Sequence, residues 1–151
     1  MQPNPISLNE EVLKNIEMSC THYNLRKASR SVTQFFNAVL KPSGLEINQV
    51  TLLTAISLHG PAQMTILAQE LVMDRTTLTR DLKSLERCGF ISIRPGQDKR
   101  MRFVSITEAG EIALAEAIPL WESAQLAMVE SLGSERWASL LTELKHVVSS
   151  V

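Results

Sequence analysis

The chain has 151 residues, with 15 lysines and arginines against 16 acids and a formal net charge of −1. That is about one domain, of ordinary apolar and charged content, able to bury roughly 70% of its unfolded surface without staples. Near-neutral charge excludes a general nucleic-acid coat but not a local basic surface, and two isolated cysteines, Cys20 and Cys88, exclude a disulfide framework or a CxxC zinc site.

The opening MQPNPISLNEE has no apolar core flanked by positive charge, so no signal peptide is expected. No apolar run approaches the roughly 20 residues that span a bilayer. Free cysteines fit a reducing compartment, and the expected location is the cytoplasm. Leu13, Ile16, Cys20, Asn24, Ala28, Val32, Phe35 and Val39 then recur every three or four residues. This spacing predicts one long helix of roughly 30 residues, ending at Pro42 and Gly44. A second helix is predicted over about 47–58, with Val50, Leu53 and Ile56 inward. A short third helix, over about 65–71, carries Leu67, Ala68 and Leu71.

Only Val72 to Asp74 separate the third helix from a fourth, a link short enough for a helix-turn-helix. Asp74 is a good N-cap, because its carboxylate can accept free backbone N–H groups of the first turn. Leu78, Leu82 and Leu85 form a core-facing stripe, and Gly89 suits the position just past the helix end. Thr76, Arg80, Lys83 and Arg87 fall on the opposite side. The alternating segments FISIR (Phe90 to Arg94) and RFVSIT (Arg102 to Thr107) predict two strands joined by the basic turn PGQDKRM. Thr107 can cap a helix from Glu108 to about Leu132, which Pro119 should kink near Ile118. Ser134 is expected to cap a last helix through Val148, with Trp137, Leu140, Leu141 and Leu144 on one face. The expected class is mainly α with a small β-hairpin wing: a winged helix-turn-helix flanked by N- and C-terminal helices.

Eight of the 15 basic residues lie between Asp74 and Phe103, against four acids. An α-helix fits the major groove of B-DNA, where base edges carry a distinguishable pattern. Thr76, Arg80 and Lys83 are of the types that read base edges and grip phosphates. Arg87 is placed at the DNA backbone, and Lys99 and Arg100 at the hairpin tip can reach a neighbouring minor groove or phosphates. A lone basic helix opposite a leucine stripe is more often a solvated amphipathic face. Here a short turn, a capped helix, a leucine stripe and a basic hairpin coincide, which favours DNA.

The stretches NLRKASRSVTQFF, PSGLEINQVTLLTAI, LAQEL, DRTTLTRDLKSLERCGFI, DKR and VSITEAG together resemble the MarR family of bacterial winged-helix regulators along most of the chain. The resemblance implies a single domain over 1–151, with a DNA-binding lobe over 45–107 and dimerisation helices over 8–40 and 108–148. It implies a homodimer on a pseudo-palindromic operator, read as a ligand-responsive repressor. The candidate DNA contacts are Arg75, Thr76, Thr77, Thr79, Arg80, Lys83, Arg87, Asp98, Lys99 and Arg100. The family's Asp-x-Arg wing signature maps onto Asp98 and Arg100, the aspartate orienting an arginine that enters the minor groove. Many relatives bind small aromatic or lipophilic anions, and His22, Arg26 and Trp121 are the matching candidates: an arginine for a carboxylate, a ring for stacking. The bland reading of Arg26 is a solvated or salt-bridged surface residue. One departure stands out. Where the family often has glycine after the third helix, this chain has Val72, a β-branched residue unfavourable at positive φ.

His22, His59 and His146 lie on separate segments, and no HExxH, GxSxG or phosphate-loop pattern occurs. No metal, cofactor or catalytic residue is expected. A redox-sensing regulator using Cys20 is one alternative, since a branch of the family senses hydroperoxides through a cysteine of the first helix. Cys20 lies on the apolar stripe, however, where a free cysteine acts as a small hydrophobe. Cys88 is also expected to pack. The alternative from another class is a winged-helix module that binds protein.

Overall fold

The computed structural model describes residues 8–151, so the expectation for the first seven lies outside the described residues. The elements are α1 (Glu10–Ser19), α2 (Thr21–Leu40), a 3-10 turn (Lys41–Ser43), α3 (Ile47–His59), β1 (Ala62–Gln63), α4 (Met64–Glu70), α5 (Arg75–Arg87), β2 (Ile91–Pro95), β3 (Arg102–Ile106), α6 (Glu108–Leu132) and α7 (Ser134–Ser150). The class is the expected one, helical with a small antiparallel sheet. The chain forms two compact units, one ending at Phe35 and one beginning at Phe36.

In the first unit the expected single long helix is two. Cys20 adopts extended backbone, with ψ 116, between α1 and α2. Side chains sustain the break. The Asn24 amide donates to the Cys20 carbonyl at 3.0 Å and reaches the Glu17 and Met18 carbonyls. The Ser19 hydroxyl donates to the Asn15 carbonyl at 2.8 Å. Such local bonds offer the backbone an alternative to the helix ladder. Asn9 caps α1 through the N–H groups of Glu11 and Val12. None of α1 is buried, and its Val12, Leu13 and Ile16 are exposed.

The second unit holds the core. Leu40, Leu53, Ile56, Leu67, Leu78, Leu82, Leu85 and Val104 are its largest fully buried side chains. The Asn37 side-chain Oδ1 accepts the Ile47 N–H at 2.7 Å, and the Gln49 side-chain Oε1 accepts the Glu46 N–H at 2.9 Å, so α3 starts on satisfied donors. The sheet order is β1-β3-β2, with Val104 paired to Ala62 on one side and Ile93 on the other. Strand β1 has no counterpart in the sequence reading, because two residues carry no periodicity.

At the start of α6, Thr107 caps by accepting the Gly110 N–H at 3.1 Å and donates to the Gly89 carbonyl at 2.6 Å. Its N–H donates to the Phe90 carbonyl at 3.0 Å. Gly110 sits so close that an added Cβ would collide with that same Phe90 carbonyl. Helix α6 continues through Pro119 as one helix. The proline removes a donor from the Ala115 carbonyl, and Ala115 is exposed. Against the reading of the bare sequence, α6 is long and apolar enough to cross a membrane by length and composition. Glutamates 116 and 122 flanking Pro119 interrupt any unbroken run, and the helix places Gly110, Ala113, Leu114, Ala117 and Ala124 in the core. Helix α7 begins on Gly133, at φ +83 and without a side-chain cap, so Ser134 is the first helical residue rather than the cap. One glycine at positive φ both closes α6 and opens α7. No residue of α7 is buried: Leu140, Leu141, Leu144 and Val148 are exposed and Trp137 is half-buried.

Helix α5 is capped as expected. The Asp74 carboxylate accepts both the N–H of Thr77, at 2.9 Å, and the Thr77 hydroxyl. These bonds, the hydroxyl's first, hold the carboxyl below its ordinary value of 3.8, and the Thr76 N–H and the Arg80 charge act in the same direction. A depressed folded value means that this stabilisation is fully present above pH 3.8 and is lost as pH falls through the lower folded value. Asp74→Ala should therefore melt below the wild type at neutral pH, and the gap between the two should narrow as the melts are repeated below about pH 3.8. Gly110→Ala should cost about 1–3 kcal/mol, because helix and hairpin must part to admit the methyl group; urea unfolding gives the value, and an unchanged midpoint would show that the contact yields freely.

Candidate nucleic-acid interface

The turn before α5 sets its aim. Helix α4 ends in a Schellman motif, with the Met73 N–H on the Ala68 carbonyl at 2.9 Å and the Val72 N–H on the Gln69 carbonyl at 3.2 Å. Helix α5 ends the same way, with the Phe90 N–H on the Leu85 carbonyl and the Gly89 N–H on the Glu86 carbonyl. The left-handed position is Gly89 in one motif, at φ +77, and Val72 in the other, at φ +51. Val72 therefore holds the same motif as Gly89 while placing a β-branched residue in a disfavoured conformation.

Leu78, Leu82 and Leu85 are fully buried beneath α5. Their register turns Arg75, Thr76, Arg80, Lys83 and Arg87 outward, all exposed. With Thr79 and Glu86 these line an open groove of about 820 Å³ along the helix. The structure thus brings together six of the ten candidate contacts. Thr76, Lys83 and Arg87 have no side-chain partner among the described residues. Arg80 donates through Nε to Asp81 at 3.2 Å, which leaves its terminal nitrogens free. Thr77 differs: its hydroxyl is engaged by Asp74, so it serves the cap. Thr79 donates to the Arg75 carbonyl.

The remaining three candidates form the hairpin tip, where Asp98, Lys99 and Arg100 are all exposed. The Asp98 carboxylate accepts the Arg100 backbone N–H at 2.9 Å, and the Met101 N–H donates to the Asp98 carbonyl at 2.9 Å. Among the described residues the Lys and Arg ion pairs are Lys14–Glu10 and Arg80–Asp81, so Asp98 bonds to the Arg100 backbone and not to its guanidinium. Arg102, at the start of β3, is a residue the candidate set missed. It lines a smaller recess with Arg75, Thr79, Lys83 and Ile93, joining the base of the wing to α5. Its only sequence signal is membership of the basic stretch.

The ligand candidates are divided between the units. His22 and Arg26 lie exposed on the first turns of α2, in the first unit. Trp121 lines a mostly apolar groove of about 520 Å³ in the second unit, with Ile47, Val50, Leu58, Glu70, Leu71 and Ile118 among its walls. Cys20 is half-buried at the break between α1 and α2, whereas Cys88 is exposed at the end of α5 and so does not pack as expected. Among the described residues no group of three or more His, Cys, Asp or Glu could hold a metal ion.

The model of the MarR family matches residues 45–101, the stretch from α3 to the hairpin tip. The HTH-type transcriptional regulator YwoH of Bacillus subtilis is 29% identical over 59% of this chain and 65% of its own length, so the chain spans just under two thirds of that relative. The crystal structure of the M. tuberculosis transcriptional regulator MosR in complex with DNA superposes with a TM-score of 0.79 at 33% identity, covering 85% of this chain and 93% of MosR. The transcriptional repressor CouR bound to p-coumaroyl-CoA shares the fold, with a TM-score of 0.80 at 21% identity over 96% of this chain and 100% of CouR. A leucine-backed basic helix, a capped short turn before it and a basic hairpin after it are thus the features of a DNA-binding regulator, and the chain belongs to the MarR family of transcriptional regulators.

Proposed function

We propose that the chain is a ligand-responsive repressor that works in the cytoplasm as a homodimer on a pseudo-palindromic operator. The DNA-binding surface is the basic face of α5 together with Arg102 and the hairpin tip, and the observation that carries it is the unpaired outward row Thr76, Lys83 and Arg87 above a buried leucine stripe. Arg80, mid-row with free terminal nitrogens, reaches a guanine edge. Arg75, Lys83, Arg87 and Lys99 grip phosphates, and Arg100 enters the narrow minor groove.

The homodimer rests on the distribution of exposed apolar side chains. Of twenty large hydrophobic residues exposed among the described residues, only Leu58, Ile66 and Val72 fall within 45–101. The others lie on α1, α2, α6 and α7 or at the chain ends, on the segments read as dimerisation helices. A two-fold dimer would cover them and present two recognition helices to the two halves of a palindrome.

The effector is a small aromatic or lipophilic anion. Trp121 lines a groove with apolar walls suited to such a ligand; in the other unit Arg26 is an exposed cation of the kind that pairs with a carboxylate, and His22 is exposed on the same helix. CouR's p-coumaroyl-CoA supports an aromatic acyl ligand on this fold. The ligand lowers DNA affinity only by favouring the DNA-incompetent dimer.

Binding is tested on a duplex enriched from a random-sequence library. Arg80→Ala should lose about 1–3 kcal/mol on that duplex and less on random DNA; equal losses would make Arg80 a phosphate contact. Asp98→Ala removes a negative charge near DNA, so charge alone predicts tighter binding. Loss of the bond to the Arg100 N–H should instead loosen the tip and weaken binding, and tighter binding at matched salt would reduce the tip to ordinary surface charge. Sedimentation equilibrium at micromolar concentration should return twice 16.8 kDa, and a single-chain mass would overturn the dimer.

A further inference from the structure

The turn uses the backbone of Val72 but not its isopropyl group. It is the one non-glycine residue at positive φ among the described residues, and it is 73% exposed, so little packing offsets its conformation. Outliers of this kind collect at functional sites, where the side chain is kept for what it touches in another molecule. Here the isopropyl group lines an open, largely apolar recess with Thr65, Ala68, Gln69, Met73 and Arg75. Arg75 also lines the basic groove of α5, so the two surfaces are continuous at the N-terminal end of that helix. In a helix-turn-helix this end of the recognition helix meets the base edges. On those edges in the major groove, the apolar group is the C5-methyl of thymine.

We propose that Val72 is a specificity-determining contact, its isopropyl group packing against a thymine methyl at one position of each half-site. The inference rests on the reading of α5 as the recognition helix. It explains why a left-handed turn position carries valine: glycine suits the backbone but leaves the methyl group uncovered. Alanine would keep the backbone strain and lose the contact.

The test uses wild type, Val72→Gly, Val72→Ala and Arg80→Ala on the duplex enriched by the wild type. Each thymine is replaced in turn by deoxyuridine, which removes only the C5-methyl group. At one thymine of each half-site the replacement should weaken wild-type binding about fourfold, the worth of one buried methyl, and leave both Val72 variants unaffected. Thermal melts should find Val72→Gly at least as stable as the wild type although it binds DNA more weakly, which separates lost contact from lost fold. If wild type and Val72→Ala respond alike at every thymine while Arg80→Ala still loses affinity, the methyl contact is wrong and the reading of α5 stands. If Arg80→Ala binds as the wild type does, the reading of α5 falls and the inference falls with it.

Discussion

The outward basic face of α5 depends on the burial of Leu78, Leu82 and Leu85. Each is fully inaccessible, and burying such a side chain contributes about 1.5–3 kcal/mol relative to leaving it in water. Their spacing places three side chains on one face, so the helix has one rotational setting that satisfies all three. That setting, and no property of the arginines, turns Arg75, Arg80, Lys83 and Arg87 outward. Rotating α5 to bury any of them would exchange leucine burial for an unpaired buried cation, which costs several kcal/mol. The basic face is therefore a consequence of the core.

Rotation alone does not place a helix, and its ends supply the rest. The Schellman motif at Val72 and the Asp74 cap hold the start of α5; a second such motif at Gly89 holds its end. Thr107 then draws these restraints together. Its hydroxyl bonds to Gly89, its N–H bonds to Phe90, and it caps α6 through Gly110. The end of α5, the open end of the hairpin and the start of α6 thus share one residue. A displacement of α6 therefore has a direct mechanical route to the hairpin.

The parts of this arrangement written in local periodicity were legible in the sequence. Helix α5, its cap, its glycine stop and both strands of the hairpin follow from spacing and turn chemistry within a few residues. The missed features depend on side chains bonding across a break or on single residues with two jobs. The long first helix divides at Cys20 because the Asn24 amide satisfies carbonyls that the ladder would otherwise need. A polar residue on an apolar stripe was the available signal. Gly133 both closes α6 and opens α7, which displaced the expected serine cap by one residue. Asp98 was assigned to a guanidinium but holds a backbone N–H, a choice that residue spacing cannot distinguish. Arg102 faces α5 only because β3 starts opposite Pro95, a register that no local pattern announces.

Charge placement completes the logic of a nearly neutral DNA-binding protein. Outside residues 74–103 the chain carries seven bases and twelve acids, so the rest of the molecule is acidic while one face is basic. A phosphate backbone attracts that face and repels the remainder, which orients the protein before any base is read. That attraction is independent of base sequence and is screened by salt. Selectivity must then come from short-range contacts made once the helix is seated. The outward row on α5 offers polar groups for such contacts, and the left-handed turn in front of it presents an apolar group where the row begins.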